Sequence, residues 1–151
     1  MKVREIMTEP VIVINEDETL EEAAGLMLDK NIGGLPVVDG DGTLVGIITE
    51  SDFAAKEHAI PFSRIYAPRL FGKWMSKEGV EKAYEAARRI KVKQIMTTAV
   101  VTVEEDDLLA EAINKMLDHH VHRVPVVRDG SPIGMISRHD LLKLIVNRIE
   151  E

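Results

Sequence analysis

Gly46-Ile47-Ile48-Thr49-Glu50-Ser51-Asp52 and Gly134-Met135-Ile136-Ser137-Arg138-His139-Asp140 are one pattern written twice: glycine, two apolar residues, a hydroxyl residue and, three further on, an aspartate. Working outward, the duplication extends from Val3 to Phe53 and from Val92 to Leu141, at an offset of 89 as far as Asp41/Gly130 and of 88 beyond a one-residue deletion in the turn. Ile6-Met7-Thr8 matches Ile95-Met96-Thr97, Leu20-x-Glu22-Ala23 matches Leu109-x-Glu111-Ala112, and Pro36-Val37-Val38 matches Pro125-Val126-Val127. A unit of about 50 residues is too short to bury a good core alone, so the copies are expected to pack face to face about a pseudo-twofold axis. The crevice between them is the place to look for function.

Each copy reads β-α-β-β-α. The branched runs Val11-Ile12-Val13-Ile14 and Val100-Val101-Thr102-Val103 favour a strand. Thr19-x-x-Glu22 then forms a capping box, and Leu20, Ala23, Ala24, Met27 and Leu28 place one apolar face on a helix, repeated by Leu109, Ala112, Ile113, Met116 and Leu117. Leu35 to Val38, the turn Asp39-Gly40-Asp41-Gly42 and Leu44 to Ile48 predict a strand pair, as do Val124 to Val127, Asp129-Gly130 and Ile133 to Ile136. A helix starts at each Thr49 or Ser137, with Leu141, Leu144, Ile145 and Ile149 as apolar positions of the last one. The expected division is repeat 1 over 1–53, a basic, partly helical insert over 54–91 and repeat 2 over 92–151. In the insert, Phe62, Tyr66, Phe71 and Trp74 form an aromatic cluster, and Val80, Ala83, Tyr84, Ala87 and Ile90 mark one side of a helix from about Ser76.

With 151 residues, 45% of them hydrophobic and 30% charged, the chain fits one α/β globular unit built of two halves. Zero cysteines exclude a disulfide framework, thiolate metal sites and cysteine nucleophiles. The absence of a long apolar run and the charged start, Met1 to Glu9, predict a cytoplasmic protein with no membrane partner. Five Asn and Gln residues in all lean towards a thermophilic source. Net charge is -9 over residues 1–53, +6 over 54–93 and -4 over 94–151. Acidic repeats oppose nucleic-acid binding, because the phosphate term would be repulsive. The basic connector either docks on an acidic repeat or meets phosphate.

The two Gly-to-Asp strings carry two readings. Thr49 or Ser137 as helix N-cap, with Asp52 or Asp140 three residues on, is the acidic form of a capping box. Equally, a helix N-terminus attracts an anion, and the aspartate beside it can accept hydrogen bonds from the vicinal hydroxyls of a ribose.

The order and duplication of these motifs resemble a tandem pair of cystathionine-β-synthase (CBS) domains, the Bateman module, over roughly 100 of the 151 residues. The resemblance implies two pseudo-symmetric CBS repeats packed through their sheets with a helical insert between them. It also implies a regulatory, non-catalytic module, needing no cofactor, that binds an adenosine compound such as AMP, ADP, ATP or S-adenosylmethionine between the copies. A homodimer and a separate effector protein are further implications. Carried over by motif, site A holds Asp140, Ser137, Thr8, Val13 and Ile32, and site B holds Asp52, Thr49, Thr97, Thr102 and Val121. The His-Arg pair that often meets phosphate in the family occurs once, as His122-Arg123 opposite Gly33-Gly34, so the two sites are expected to be unequal; Arg138 and His139 are further phosphate candidates. The insert departs from the shortest CBS pairs: it either brings Arg64, Arg69 or Lys73 to a ligand or widens a dimer interface through Phe71 and Trp74.

His119, His120 and His122 cluster without a carboxylate spaced to complete a tetrahedral set, and no metal is expected. No Gly-x-Ser-x-Gly elbow, Walker loop or Gly-x-Gly-x-x-Gly occurs, which argues against an enzyme. The alternatives are a ligand-free dimerisation or scaffold module and, less favoured, a nucleic-acid binder working through the insert.

Overall fold

The computed structural model describes residues 1–55 and 77–146. The first repeat forms β1 (Ile14–Asn15), α1 (Leu20–Lys30), β2 (Gly34–Val38), β3 (Leu44–Thr49) and α2 (Glu50–Ala55). Helix α3 (Lys77–Arg88) precedes the second repeat, which forms β4 (Val103–Glu104), α4 (Leu109–Asp118), β5 (Arg123–Arg128), β6 (Ser131–Ser137), a 3-10 turn at His139–Leu142 and α5 (Lys143–Val146). The insert residues Phe62, Arg64, Tyr66, Arg69, Phe71, Lys73 and Trp74, together with Ile149, lie outside the described residues.

Two three-stranded sheets result, ordered β1-β2-β3 and β4-β5-β6, each with one parallel and one antiparallel pairing. The branched runs expected as strands pair only at their ends, Ile14 with Val37 and Val103 with Val126. The residues before them, Val11 to Val13 and Val100 to Thr102, are irregular. The Thr19 hydroxyl accepts from the Glu22 N–H at 3.3 Å, the N-cap half of the expected capping box. Helix α1 ends on Asn31 in the left-handed region (φ 50), and His120, one residue past the equivalent cap of α4, takes the same conformation (φ 53).

The hydrophobic cores cross between repeats. The first cluster joins Ile14, Leu20, Ala23, Met27, Leu35, Val37 and Ile48 with Val92 and Ile95, which belong to the second repeat's opening. The second joins Val103, Leu109, Ala112, Met116, Val124, Val126 and Ile136 with Val3 and Ile6 from the first repeat's opening. Each opening is a 3-10 turn, Val3–Glu5 or Val92–Gln94, and is tied in place by matching backbone bonds. Val3 N–H donates to Asp107 O (2.9 Å) and Arg4 N–H to Glu105 O (3.0 Å), while Val92 N–H donates to Glu18 O (2.8 Å) and Lys93 N–H to Glu16 O (3.0 Å). Thr8 then pairs with Met135 on β6, and Thr97 with Ile47 on β3, so each opening also covers the free edge of the other repeat's sheet. Lys2 and Arg4 bridge to Asp106 as Lys91 and Lys93 do to Asp17; all are about half exposed and add little stability.

Gly46 and Gly134 are explained by this exchange. A Cβ on Gly46 would lie 2.5 Å from Met96 Sδ and 3.0 Å from the Thr97 carbonyl oxygen, and one on Gly134 would lie 2.7 Å from Met7 Sδ. The glycines let the opposite Ile-Met-Thr strand cross the sheet edge.

Three apolar positions differ from expectation. Leu28 is 81% exposed, its counterpart Leu117 is 62% exposed and Ile145 is 86% exposed, although the periodicity assigned all three to core faces. They lie at the margin of stripes whose buried members are Leu20, Ala23 and Met27 in α1, and Leu109, Ala112 and Met116 in α4. Leu141 and Leu144 do pack on the second cluster. In the connector, Ala87 is buried and Tyr84 and Ile90 are half-buried, Ile90 against the first cluster.

Crossed cores make a specific prediction. Ile95→Ala, at a site 3% exposed, should cost about 2–5 kcal/mol. In hydrogen-exchange mass spectrometry the loss of protection should appear first in β2 and β3 of repeat 1; loss confined to β5 and β6 would contradict the exchange.

Candidate functional site

Two clefts lie between the repeats, related by the pseudo-twofold. Cleft A, about 260 Å³, is lined by Thr8 to Ile12 apart from Glu9, by Asn31 to Gly34, and by Met135, Ser137, His139, Asp140 and Arg123. Cleft B, about 370 Å³, is lined by Thr97, Ala99 to Val101, His120 to Arg123, Pro125, Ile47 and Thr49 to Asp52. Cleft B stands at the small end of the ~300–1,000 Å³ usual for small-molecule sites and cleft A just below it.

An aspartate closes the floor of each. Asp140 is 3% exposed and Asp52 6%, the buried acidic side chains among the described residues. Asp140 Oδ2 accepts from the Ser137 N–H (2.8 Å) and hydroxyl (3.1 Å), which is the capping arrangement read in the sequence. Its Oδ1 accepts from the Thr8 hydroxyl (2.8 Å) and pairs with Lys143 Nζ (2.7 Å). Asp52 repeats the geometry: Oδ2 accepts from the Thr49 N–H (2.8 Å) and Oδ1 from the Thr97 hydroxyl (3.0 Å). Capping and site-building are therefore compatible, because the oxygen that serves the cap is not the one that meets the other repeat. The Thr49 and Ser137 amides are already committed to Asp52 and Asp140, so they offer no free N–H to an anion.

Burial works to raise the pKa of Asp140, but the Lys143 ammonium, the Thr8 hydroxyl and the Ser137 N–H outweigh it and hold the carboxyl below its ordinary value. It is ionised at neutral pH. Lys143, about half exposed, also reaches the Ile6 carbonyl at 3.2 Å; the corresponding residue of repeat 1 is Ala55.

Most residues singled out in the sequence come together in these clefts. Thr8, Ile32, Ser137, Asp140 and His139 line cleft A; Thr49, Asp52, Thr97, Val121 and His122 line cleft B. Val13, Thr102 and Arg138 do not. Val13 turns towards a shallow groove beside α1 with Glu18 and Glu22, and the Thr102 carbonyl accepts from Lys115 Nζ at 2.8 Å. Arg138 is exposed, and its N–H donates to the His122 carbonyl at 2.9 Å. The walls come instead from Val11 and Ile12, and from Val100 and Val101, which the motif carry-over did not name. Arg123 was expected at one cleft and lines both. Among the described residues no group of three His, Cys, Asp or Glu side chains could hold a metal ion.

The CBS domain family model matches residues 3–58 and 92–147, and the chain belongs to this family. Among solved structures, the CBS domain of a CBS domain-containing membrane protein from Sphaerobacter thermophilus is 42% identical, with a TM-score of 0.76 and coverage of 95% of this chain and 87% of that one. The CBS domain pair of protein MJ0100, in complex with 5'-methylthioadenosine and S-adenosyl-L-methionine, is 28% identical with a TM-score of 0.70, covering 97% and 96%. The uncharacterized protein MJ1404 of Methanocaldococcus jannaschii is 36% identical over 146 residues, 97% of this chain but 32% of that protein. No helix among the described residues is long and apolar enough to cross a membrane.

The direction of the Asp140 shift sets a pH dependence. A carboxyl with a folded pKa below its unfolded value of about 3.9 contributes stability in full above that value and loses it as pH falls through the folded one. Asp140→Asn should accordingly cost about 1–3 kcal/mol at pH 7, and its gap from wild type in urea denaturation should shrink below about pH 4. A gap independent of pH would show that the charge contributes nothing.

Proposed function

We propose that this CBS pair is a regulatory sensor of adenosine compounds, not a catalyst, and that the ligand binds in the inter-repeat clefts. The observation that carries this is the pair of buried aspartates, each clamped by a threonine from the opposite repeat at a cleft floor. Vicinal ribose hydroxyls are the natural guests of such a carboxylate. In cleft A they would replace Lys143 at Oδ1, the half-exposed partner, which keeps the Ile6 carbonyl as an acceptor. A planar base would rest among Val11, Ile12 and Ile32, and in cleft B among Val100, Val101 and Val121. The complex of the MJ0100 pair with 5'-methylthioadenosine and S-adenosyl-L-methionine supports the ligand class. Binding signals only if one arrangement of the repeats takes the ligand better than another, and an effector protein or attached domain would read that difference.

We also propose a homodimer in which a second copy covers the exposed apolar side chains Leu28, Leu117, Leu142, Ile145 and Val146. Ile145→Lys should convert dimer to monomer in sedimentation velocity; an unchanged sedimentation coefficient would refute this face.

A thermal-shift panel tests the sensor. After ligand removal by unfolding and refolding, AMP, ADP, ATP, S-adenosylmethionine or 5'-methylthioadenosine at 100 times Kd should each stabilise by about 2.7 kcal/mol, and GTP should not. A flat panel from refolded protein would favour the scaffold reading.

A further inference from the structure

We infer that Arg123 is one cation shared by both clefts, so that they compete for it when their ligands are anionic and act independently when the ligands are neutral. The inference rests on the nucleoside reading above and adds a coupling rule to it.

The pseudo-twofold should give each cleft its own arginine. It does not, because the counterparts of His122-Arg123 are Gly33-Gly34. Their missing side chains leave the space that the guanidinium occupies: a Cβ on Gly33 would lie 2.5 Å from Arg123 Nη2, and one on Gly34 would lie 2.8 Å from Arg123 Cδ. Arg123 therefore crosses to the other repeat, where its Nη1 donates to the Gly33 carbonyl at 2.9 Å. It borders both clefts, and among the described residues it is the only lysine or arginine in either lining.

The resting guanidinium is held by the Gly33 carbonyl and by attraction to the nearby Glu50 carboxylate. The Gly33 carbonyl already accepts from the Glu50 N–H at 3.1 Å, and a guanidinium carries five N–H donors in a fork suited to a phosphate. A phosphate in cleft A can take the free side of that fork. One in cleft B must draw the same guanidinium off the Gly33 carbonyl, and cannot do so while cleft A holds it. Glu50 lines cleft B beside Asp52, whereas among the described residues Asp140 is the one carboxylate lining cleft A, so cleft A is the anion's first choice.

The test uses two single-cleft variants, Asp52→Ala leaving cleft A and Asp140→Ala leaving cleft B, each with and without Arg123→Met. Asparagine replaces alanine in any variant that does not refold. Each is titrated calorimetrically with AMP and with the uncharged 5'-methylthioadenosine. Arg123→Met should weaken AMP by about tenfold or more in both single-cleft variants and leave the neutral nucleoside within about twofold. Wild type should take its second AMP about tenfold more weakly than the Asp140→Ala variant takes its single one. If Arg123→Met weakens AMP in only one variant, the arginine belongs to one cleft and sharing is overturned while the nucleoside reading stands. If wild type binds neither compound, the nucleoside reading fails and this inference with it.

Discussion

The exchange of opening segments is the interaction on which the rest of this structure depends. Val3 and Ile6 complete the core of the second repeat, and Val92 and Ile95 complete that of the first. Neither repeat of about 50 residues could bury enough surface alone, and each solves the problem by borrowing two branched side chains from its twin. The same segments close the open sheet edges through Thr8 and Thr97. They also deliver those two hydroxyls to Asp140 and Asp52. Fold and site are thus built by a single contact, so displacing an opening segment would loosen a core and open a cleft together.

The repeated Gly-to-Asp string is the receiving half of that contact. Its glycine admits the methionine of the opposite Ile-Met-Thr, its hydroxyl residue starts the following helix or turn, and its aspartate meets the opposite threonine. Symmetry holds at this level and breaks one layer further out. Lys143 pairs with Asp140 where repeat 1 has Ala55, and Arg123 fills the space over Gly33-Gly34. Two clefts of one design therefore carry different charges.

Much of this was legible in the residues. The order of elements followed from periodicity and turn chemistry, the duplication followed from direct comparison, and both aspartates stood out by position. The exchange of openings was not legible, since two nearly identical Ile-Met-Thr segments suit either core and only the length and path of the chain decide between them. Periodicity placed Leu28 and Leu117 in core stripes because a stripe margin and a buried row share the same spacing, while a flat core cannot reach both. Val13 and Thr102 were placed at the clefts by carry-over from the family motif, but pairing begins only at Ile14 and Val103, and the irregular residues Val11, Ile12, Val100 and Val101 form the walls. Gly33-Gly34 stood out as the counterpart of His122-Arg123; that it makes room for that very arginine, 90 residues away, is visible only in three dimensions.

The most direct test of the account is a crystal structure of the refolded protein with 5'-methylthioadenosine. The account predicts the nucleoside between the repeats, its ribose hydroxyls within hydrogen-bonding distance of Asp140 or Asp52, and its base against Val11 and Ile12 or Val100 and Val101. A nucleoside bound outside both clefts, or within one but with its ribose turned away from the carboxylate, would contradict it.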